Sequence, residues 1–303
     1  MKVAVAGASG LIGSALVRQL AARGDSVVRL VRGPARGPDE RSWDPGAGRL
    51  DPEALRGADA VVNLGGAGLG DKRWTASYKA TIRASRVDGA ALLARTLAGL
   101  DDGPRVFVQG SAVGYYGDRG DNVVDETSAR GEGFLAELVE DWEGATAAAS
   151  AAGVRVALAR TGIVLAPRGG ALSRLIPLAR LGLAGRLGPG TQYWGWISLE
   201  DEVRALVHLL DHDVAGPVNL TAPRPATNAE VIRTLAKAYG RPAVLPVPAW
   251  ALRIALGEFA SDLTGSQRAV PTVLTATGFE HVHADLDAAI DAVVNQRAGR
   301  SPR

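Results

Sequence analysis

The chain has 303 residues, a formal net charge of +2 and no cysteine. That length can bury a sizeable core in one large domain, or in one domain with an appendage. The missing thiols exclude disulfides, thiolate catalysis and cysteine–zinc sites. The near-balance of charge, with no dense basic block and no transmembrane-length apolar run, carries no nucleic-acid or membrane signature.

Residues 1–6 are short, apolar and β-prone and read as a buried strand. The loop Gly7-Ala8-Ser9-Gly10-Leu11-Ile12-Gly13 follows at once, and residues 14–20 have helical periodicity. Strand, glycine loop and helix in this order are the context that a dinucleotide-binding loop needs. Gly7 allows the tight turn, Gly10 the approach of a pyrophosphate, and Gly13 close packing of helix on strand. The helix N-terminus then offers free N–H groups to phosphate. The spacing is G-x-x-G-x-x-G rather than G-x-G-x-x-G.

Residues 27–31 read as the second strand, closed by Arg32-Gly33-Pro34. An acidic residue about 20 positions after the glycine loop holds the ribose of NAD, whereas an arginine there accommodates the 2′-phosphate of NADP. Arg32 occupies that place, so NADP is the expected cofactor; the alternative is a solvated arginine at a strand end. Residues 33–50 read as an irregular loop. Within it, Asp44 either accepts from an adenine amino group or forms a turn before Pro45.

Residues 58–64 read as a strand, closed by Gly65-Gly66-Ala67-Gly68, whose small size lets a cofactor approach the backbone. A long helix follows over 76–97. The strand at 105–109 runs into Gly110-Ser111 and Tyr115-Tyr116, which places a serine and two tyrosines near a strand end, where chemistry sits in parallel sheets. Ser111 is expected to hydrogen-bond a substrate oxygen, Tyr116 to donate a proton and Tyr115 to touch substrate. The alternative makes Ser111 a turn former and the tyrosines packing residues. A polar loop over 118–133, a helix over 134–152 and a buried strand over 154–159 complete a doubly wound pattern.

Beyond Pro167 the texture changes to glycine-rich and aromatic segments. A helix opens at Asp201, a strand covers 216–220, and a helix covers 228–239, capped by Thr227 or Asn228. Residues 250–263 read as one apolar helix, and 271–289 as a final small unit. The four histidines (208, 212, 281 and 283) are too dispersed for a metal centre, and none is expected. The chain begins directly in a strand, without the regions of a secretory leader, so a cytoplasmic protein is expected.

Several stretches together resemble the extended short-chain dehydrogenase/reductases of the NAD-dependent epimerase/dehydratase superfamily. They match an atypical epimerase-like subfamily with a C-terminal domain of unknown function. The matching stretches are GASGLIG at 7–13, WDP at 43–45, NLGG at 63–66, KRWTASYKATIRASRV at 72–87 and SAVGYYGDRG at 111–120. They continue with GFLAELVEDWE at 133–143, RTGIVLAPRGGAL at 160–172, GWISLED at 195–201, GPVNLTAP at 216–223 and the tail from RPAVLPVPAW onward. The resemblance implies an α/β fold: a Rossmann-type doubly wound parallel sheet with a small C-terminal α/β substrate lobe. It implies an NADP-binding domain over 1–166, to which 200–222 returns. A lobe over 167–295 then carries a family-specific tail at 242–292, and 296–303 is expected to fray.

The resemblance also implies roles. Gly7, Gly10, Leu11, Ile12 and Gly13, with Ser9 in the same loop, would line the pyrophosphate. Val31 and Arg32 would lie at the adenosine phosphate, and Leu64, Gly65 and Gly66 along the cofactor backbone. Arg86 would reach cofactor phosphate or ribose, and Arg160, Gly162 and Ile163 would lie near the nicotinamide. Trp196 and Ser198 fall in the segment that borders the substrate in extended relatives; the alternative for Trp196 is a packing role. The Tyr-x-x-x-Lys pair of active dehydrogenases is missing: Phe134 and Leu138 stand in its place, and no lysine occurs between Lys79 and Lys237. The expected function is an NADP-dependent oxidoreductase or epimerase-like enzyme on a small carbonyl or sugar-like substrate. The alternative is a catalytically silent NADP(H)-binding sensor or scaffold. A small-molecule substrate is the expected partner, with no nucleic acid and no membrane, and nothing indicates a protein partner or homo-oligomer.

Overall fold

The computed structural model describes residues 1–297 and divides into two compact units. The first comprises 1–112, 137–160 and 203–218; the second comprises 113–136, 161–202 and the chain from 219 onward.

In the first unit, β1 (Lys2–Ala6) is wholly buried from Val3 to Ala6. An unbroken apolar run of this kind suits a strand covered on both faces. The parallel strands β2 (Ser26–Val31) and β5 (Ala60–Asn63) flank it. With β3 (Glu40–Asp44), β4 (Arg49–Leu50), β6 (Val106–Ala112), β8 (Arg155–Thr161) and β12 (Gly216–Leu220) they form an eight-stranded sheet. Its order is β12-β8-β6-β5-β1-β2-β3-β4. The chain runs one way from β1 through β2 to β3 and the other way from β5 to β12. The order therefore reverses beside β1, where the carboxyl ends of parallel strands leave a ligand crevice. Helices α1 (Leu11–Ala22) and α2 (Ala76–Ala98) belong to this unit, and α3 (Phe134–Gly144) enters it at Glu137.

In the first unit three stretches differ from the sequence reading. Residues 33–50 are not an irregular loop, because β3 pairs in parallel with β2 and β4 returns antiparallel. Only Trp43 of β3 is fully buried, so this strand, next to the edge strand β4, shows no apolar period. The helix expected over 134–152 breaks into α3 and α4 (Ala147–Ala151), where the Thr146 hydroxyl donates to the Glu143 carbonyl oxygen. Ser111 lies inside β6 rather than beyond its end.

The second unit holds three two-stranded pairs. β10 (Tyr193–Trp194) runs antiparallel to β13 (Ala226–Thr227). β11 (Trp196–Ser198) pairs in parallel with β9 (Ile163–Leu165), and β14 (Arg268–Ala269) with β7 (Val123–Val124). Trp194 and Trp196 centre a core with residues of α5 (Leu172–Arg180), α7 (Asn228–Ala238) and α11 (Leu286–Arg297). Helix α7 starts in a capping box, Thr227 with Glu230. The apolar stretch at 250–263 is two helices, α8 (Ala249–Leu256) and α9 (Phe259–Thr264), because Gly257 turns left-handed at φ 64°. Gln296 and Arg297, expected to fray, close α11; residues 298–303 lie outside the described residues.

Trp43 anchors the β3 edge of the sheet. Trp43→Ala should lower the unfolding free energy by roughly 3–5 kcal/mol, the usual cost of deleting a buried indole. Urea denaturation with an unchanged m-value would show it. A loss of less than about 1 kcal/mol would mean that the edge is held by other contacts.

Candidate functional site

The site in the first unit begins with backbone geometry. Gly7 sits at φ 76°, and a Cβ there would lie 2.6 Å from the Leu64 carbonyl carbon. A Cβ on Gly13 would lie 2.2 Å from the Gly7 carbonyl oxygen. Only glycine lets β1, α1 and the end of β5 come this close. Gly10 is the N-cap of α1 and supplies no side-chain acceptor, so the amides of the first turn stay available. A cavity of about 460 Å³ opens there, within the range of small-ligand sites. Of the residues predicted to bind cofactor, Gly7, Ser9, Gly10, Val31 and Arg32 line it, as do Leu64, Gly65 and Gly66. The glycine cradle, the open helix end and the cavity together fit the diphosphate of a dinucleotide.

At the β2 end of the cavity are two guanidinium groups. Arg29 pairs with Glu40 at 3.3 Å, across the β2–β3 register. Arg32 is exposed, lines the cavity and has no carboxylate partner among the described residues. Asp44 takes the turn-forming alternative. It caps the short helix Pro45–Ala47 by accepting from the Ala47 N–H at 3.1 Å, and it pairs with Arg49 at 2.9 Å. Its neighbours Trp43 and Pro45 line the cavity instead, together with Arg29, Glu40 and Ser85. Glu40, Trp43 and Pro45 fall in a stretch that reads as a loop on the sequence, Ser85 sits on a helix face, and Arg29 reads as an ordinary residue of β2.

Arg86 lies behind the cavity wall. Its guanidinium donates to the carbonyls of Ala67 and Ile82 and lies 5.2 Å from the Trp142 ring. A Cβ on Gly66 would come within 3.0 Å of it. Burial lowers its pKa to about 10. Arg86 thus fixes the glycine wall from behind.

Next to that wall, β6 carries Ser111. The β5–β6 register ends with Asn63 opposite Gln109, and Ser111 falls two places further along β6. The Ser111 hydroxyl donates to Glu143 Oε1 at 2.6 Å. Arg160 grips the same carboxylate twice, Nε to Oε1 and Nη2 to Oε2, both at 2.8 Å. Ser111 and Arg160 are buried. Arg160 was expected at the nicotinamide; what the structure records is this bidentate pair. Glu143 was not among the predicted residues, because on the sequence it reads as one more acid in Glu137–Glu143.

Leu11 and Ile12 open α1 in the first unit and do not line the cavity; the other predicted residues lie in the second unit. Tyr116 is wholly buried and its hydroxyl donates to Asn219 Oδ1 at 2.8 Å, while the Asn219 amide donates to the Val270 carbonyl. Tyr115 stacks edge-on against it at 5.5 Å. Trp196 is wholly buried and its indole N–H donates to the Arg224 carbonyl at 3.0 Å, which is the packing alternative. Ser198 accepts from the Asp201 N–H at the start of α6 (Leu199–Asp211) and lies 3.1 Å from His283 Nδ1. Gly162 and Ile163 hold backbone contacts to Leu220 and Gly195. The Thr161 hydroxyl donates to Glu202 Oε1 at 2.8 Å. Glu202 is wholly buried, which pushes its pKa up to about 8.

Residues 3–221 match the NAD dependent epimerase/dehydratase family, and residues 247–293 match a domain of unknown function, DUF1731. The chain is 48% identical over 283 residues to an epimerase family protein of Mycobacterium leprae, covering 93% of this chain and 92% of that protein. It is 32% identical to the human epimerase family protein SDR39U1 (isoform 2), whose crystal structure with NADPH superposes at a TM-score of 0.88 over 97% of this chain and 99% of that one. MoeE5 in complex with UDP-glucose and NAD, at 21% identity, a TM-score of 0.76 and 99% coverage of both chains, shares the fold alone.

Glu202 makes stability depend on pH. Its folded pKa of about 8 lies above the ordinary 4.5, so between these values the unfolded chain releases a proton that the folded chain keeps. Stability from this group is full below about pH 4.5 and falls as pH rises, by up to about 1.4 kcal/mol per unit, levelling off above pH 8. Urea denaturation across that window should show the decline, and Glu202→Gln should flatten it. An equal slope in both proteins would assign the dependence to other groups.

Proposed function

Because the chain belongs to the NAD dependent epimerase/dehydratase family, we propose that it is an NADP-dependent oxidoreductase or epimerase-like enzyme acting on a small hydroxyl, carbonyl or sugar-like substrate. The observation that carries this reading is the glycine cradle with the unpaired Arg32 at its β2 end. A guanidinium without a carboxylate partner, at the place where the 2′-phosphate falls, selects NADP over NAD. NADPH in the human relative's structure supports the choice. Bound there, the cofactor supplies a hydride donor or acceptor.

The chain's own contribution to the chemistry is Ser111 with Glu143. Arg160 holds the carboxylate by two charge-assisted bonds. The Ser111 hydrogen is therefore committed to Glu143, which leaves its oxygen free to act as an acceptor. A serine so oriented accepts the hydroxyl of an alcohol substrate. When that alcohol is oxidised, its proton passes to Ser111 as the serine proton passes to Glu143. Carbonyl reduction runs the same path backwards. This arrangement replaces the phenol and ammonium lost with Phe134 and Leu138. Tyr116, whose hydroxyl is engaged with Asn219, serves packing rather than proton donation.

One observation favours a second reading, a protein that binds NADP(H) without turnover: the positions of the Tyr-x-x-x-Lys pair hold Phe134 and Leu138. Stopped-flow absorbance with NADPH and small carbonyls, and with NADP⁺ and small alcohols and sugars, separates the two. Hydride transfer with any of them supports the enzyme; none, with cofactor bound, supports the silent protein.

Arg32→Ala should weaken NADPH roughly ten- to a hundredfold and leave NADH nearly unchanged, because two charge-assisted bonds are lost at a partly solvated site. Raised salt should weaken NADPH more than NADH. Isothermal titration of both cofactors into both proteins measures this. Equal affinities for NADPH and NADH in the unmodified protein would show that Arg32 faces solvent.

A further inference from the structure

The second unit exposes apolar side chains in two short segments. Leu178, Leu181 and Leu183 are exposed in the first, and Val244, Leu245, Trp250 and Ile254 in the second. Trp250 is 66% exposed and Ile254 67%. The segments run side by side: the Leu245 N–H donates to the Ala184 carbonyl, Val247 to Arg186, and Gly188 to Val247. Helix α8 begins just after this pairing. It buries Leu252 and presents Trp250 and Ile254, one helical turn apart, on the opposite face. Apolar exposure gathered in this way marks an interaction surface rather than scattered surface residues.

The chain around these segments is basic. Residues 172–190 and 229–256 hold seven basic side chains and one acidic one, a net +6 against +2 for the whole chain. Lys237 pairs with Asp287. Arg180, stacked on Tyr239 at 5.2 Å, and Arg241, beside Gly182, have no carboxylate partner among the described residues. The same holds for Arg253 on α8 and for Arg186 and Arg233. These last two line a cleft of about 260 Å³ with Val244 and Pro246.

We infer that this surface docks on an anionic lipid bilayer, with Trp250 and Ile254 entering the interface and the arginines meeting headgroup phosphates. Charge complementarity selects this occupant. A second copy of the chain in a two-fold contact would set these arginines against their own kind. Leucine, tryptophan and arginine on one surface are the composition of segments that lie in the headgroup region. Arg186 and Arg233 line one cleft of headgroup size, where Arg186 also donates to the Gly188 and Pro189 carbonyls. Among the described residues no helix is long and apolar enough to cross a membrane, so contact is peripheral.

Trp250 is itself the probe, because the other five tryptophans, Trp43, Trp74, Trp142, Trp194 and Trp196, are buried. The full chain is mixed with phosphatidylcholine vesicles, with and without phosphatidylglycerol. Flotation and acrylamide quenching of tryptophan emission are then followed. With phosphatidylglycerol the protein should float, the quenchable component should be shielded, and its emission should shift to the blue. With phosphatidylcholine alone it should do neither. Arg233→Gln and Arg241→Gln should each weaken vesicle binding roughly fivefold, and Trp250→Ser more than tenfold, with unchanged thermal unfolding. The inference is overturned if anionic vesicles leave flotation and quenching unchanged. It is equally overturned if shielding grows with protein concentration alone, which means a second copy, or occurs with polyglutamate but not vesicles, which means an acidic polypeptide.

Discussion

The first unit depends on how near α1 can come to β1. A side chain on Gly13 would strike the Gly7 carbonyl oxygen, and one on Gly7 would strike the backbone after β5. With hydrogen at both places, the helix starts directly over the carboxyl ends of three parallel strands. Its first amides then point at the crevice where the strand order reverses. The cavity, the exposure of Arg32 at its far end and the backing of its glycine wall by Arg86 all follow from that contact. A loop with any other residue would need a wider gap, and the N–H groups would no longer converge on one phosphate pair.

The same sheet carries a buried polar cluster one strand further along. Ser111 on β6, Glu143 on α3 and Arg160 on β8 come from three elements, and each is satisfied by the others. A buried carboxylate is tolerable only with such partners, and removing one leaves a charge stranded. The bidentate arginine therefore fixes the orientation of the serine. The absence of the phenol–lysine pair leaves the cofactor cradle intact, because the cradle is built from β1, α1 and the end of β5, whereas Phe134 and Leu138 lie on α3.

The cradle was legible in the sequence because its residues are local: a strand, three glycines and a helix within fourteen positions. Arg32 was legible for the same reason, as the first residue past β2. Glu143 was not, since its meaning comes from Arg160, seventeen positions away, and Ser111, thirty-two away. β3 was hidden because only Trp43 of its five residues is fully buried. Tyr116 and Trp196 read as chemical on the sequence, as tyrosine and tryptophan do near strand ends; the structure has both fully buried, one with an amide partner and one with a backbone partner. The basic and apolar surface of the second unit escaped notice because a net charge of +2 averages a +6 region with an acidic remainder.

Phosphorus NMR of NADPH as the protein is added, with the two diphosphate signals and the 2′-phosphate signal followed against pH, tests the glycine cradle most directly. The account predicts that the diphosphate signals shift on entering the amides of α1. It also predicts that the 2′-phosphate titrates at lower pH than in free cofactor, because Arg32 favours its dianion. Diphosphate signals that stay at their free positions with cofactor bound would contradict it.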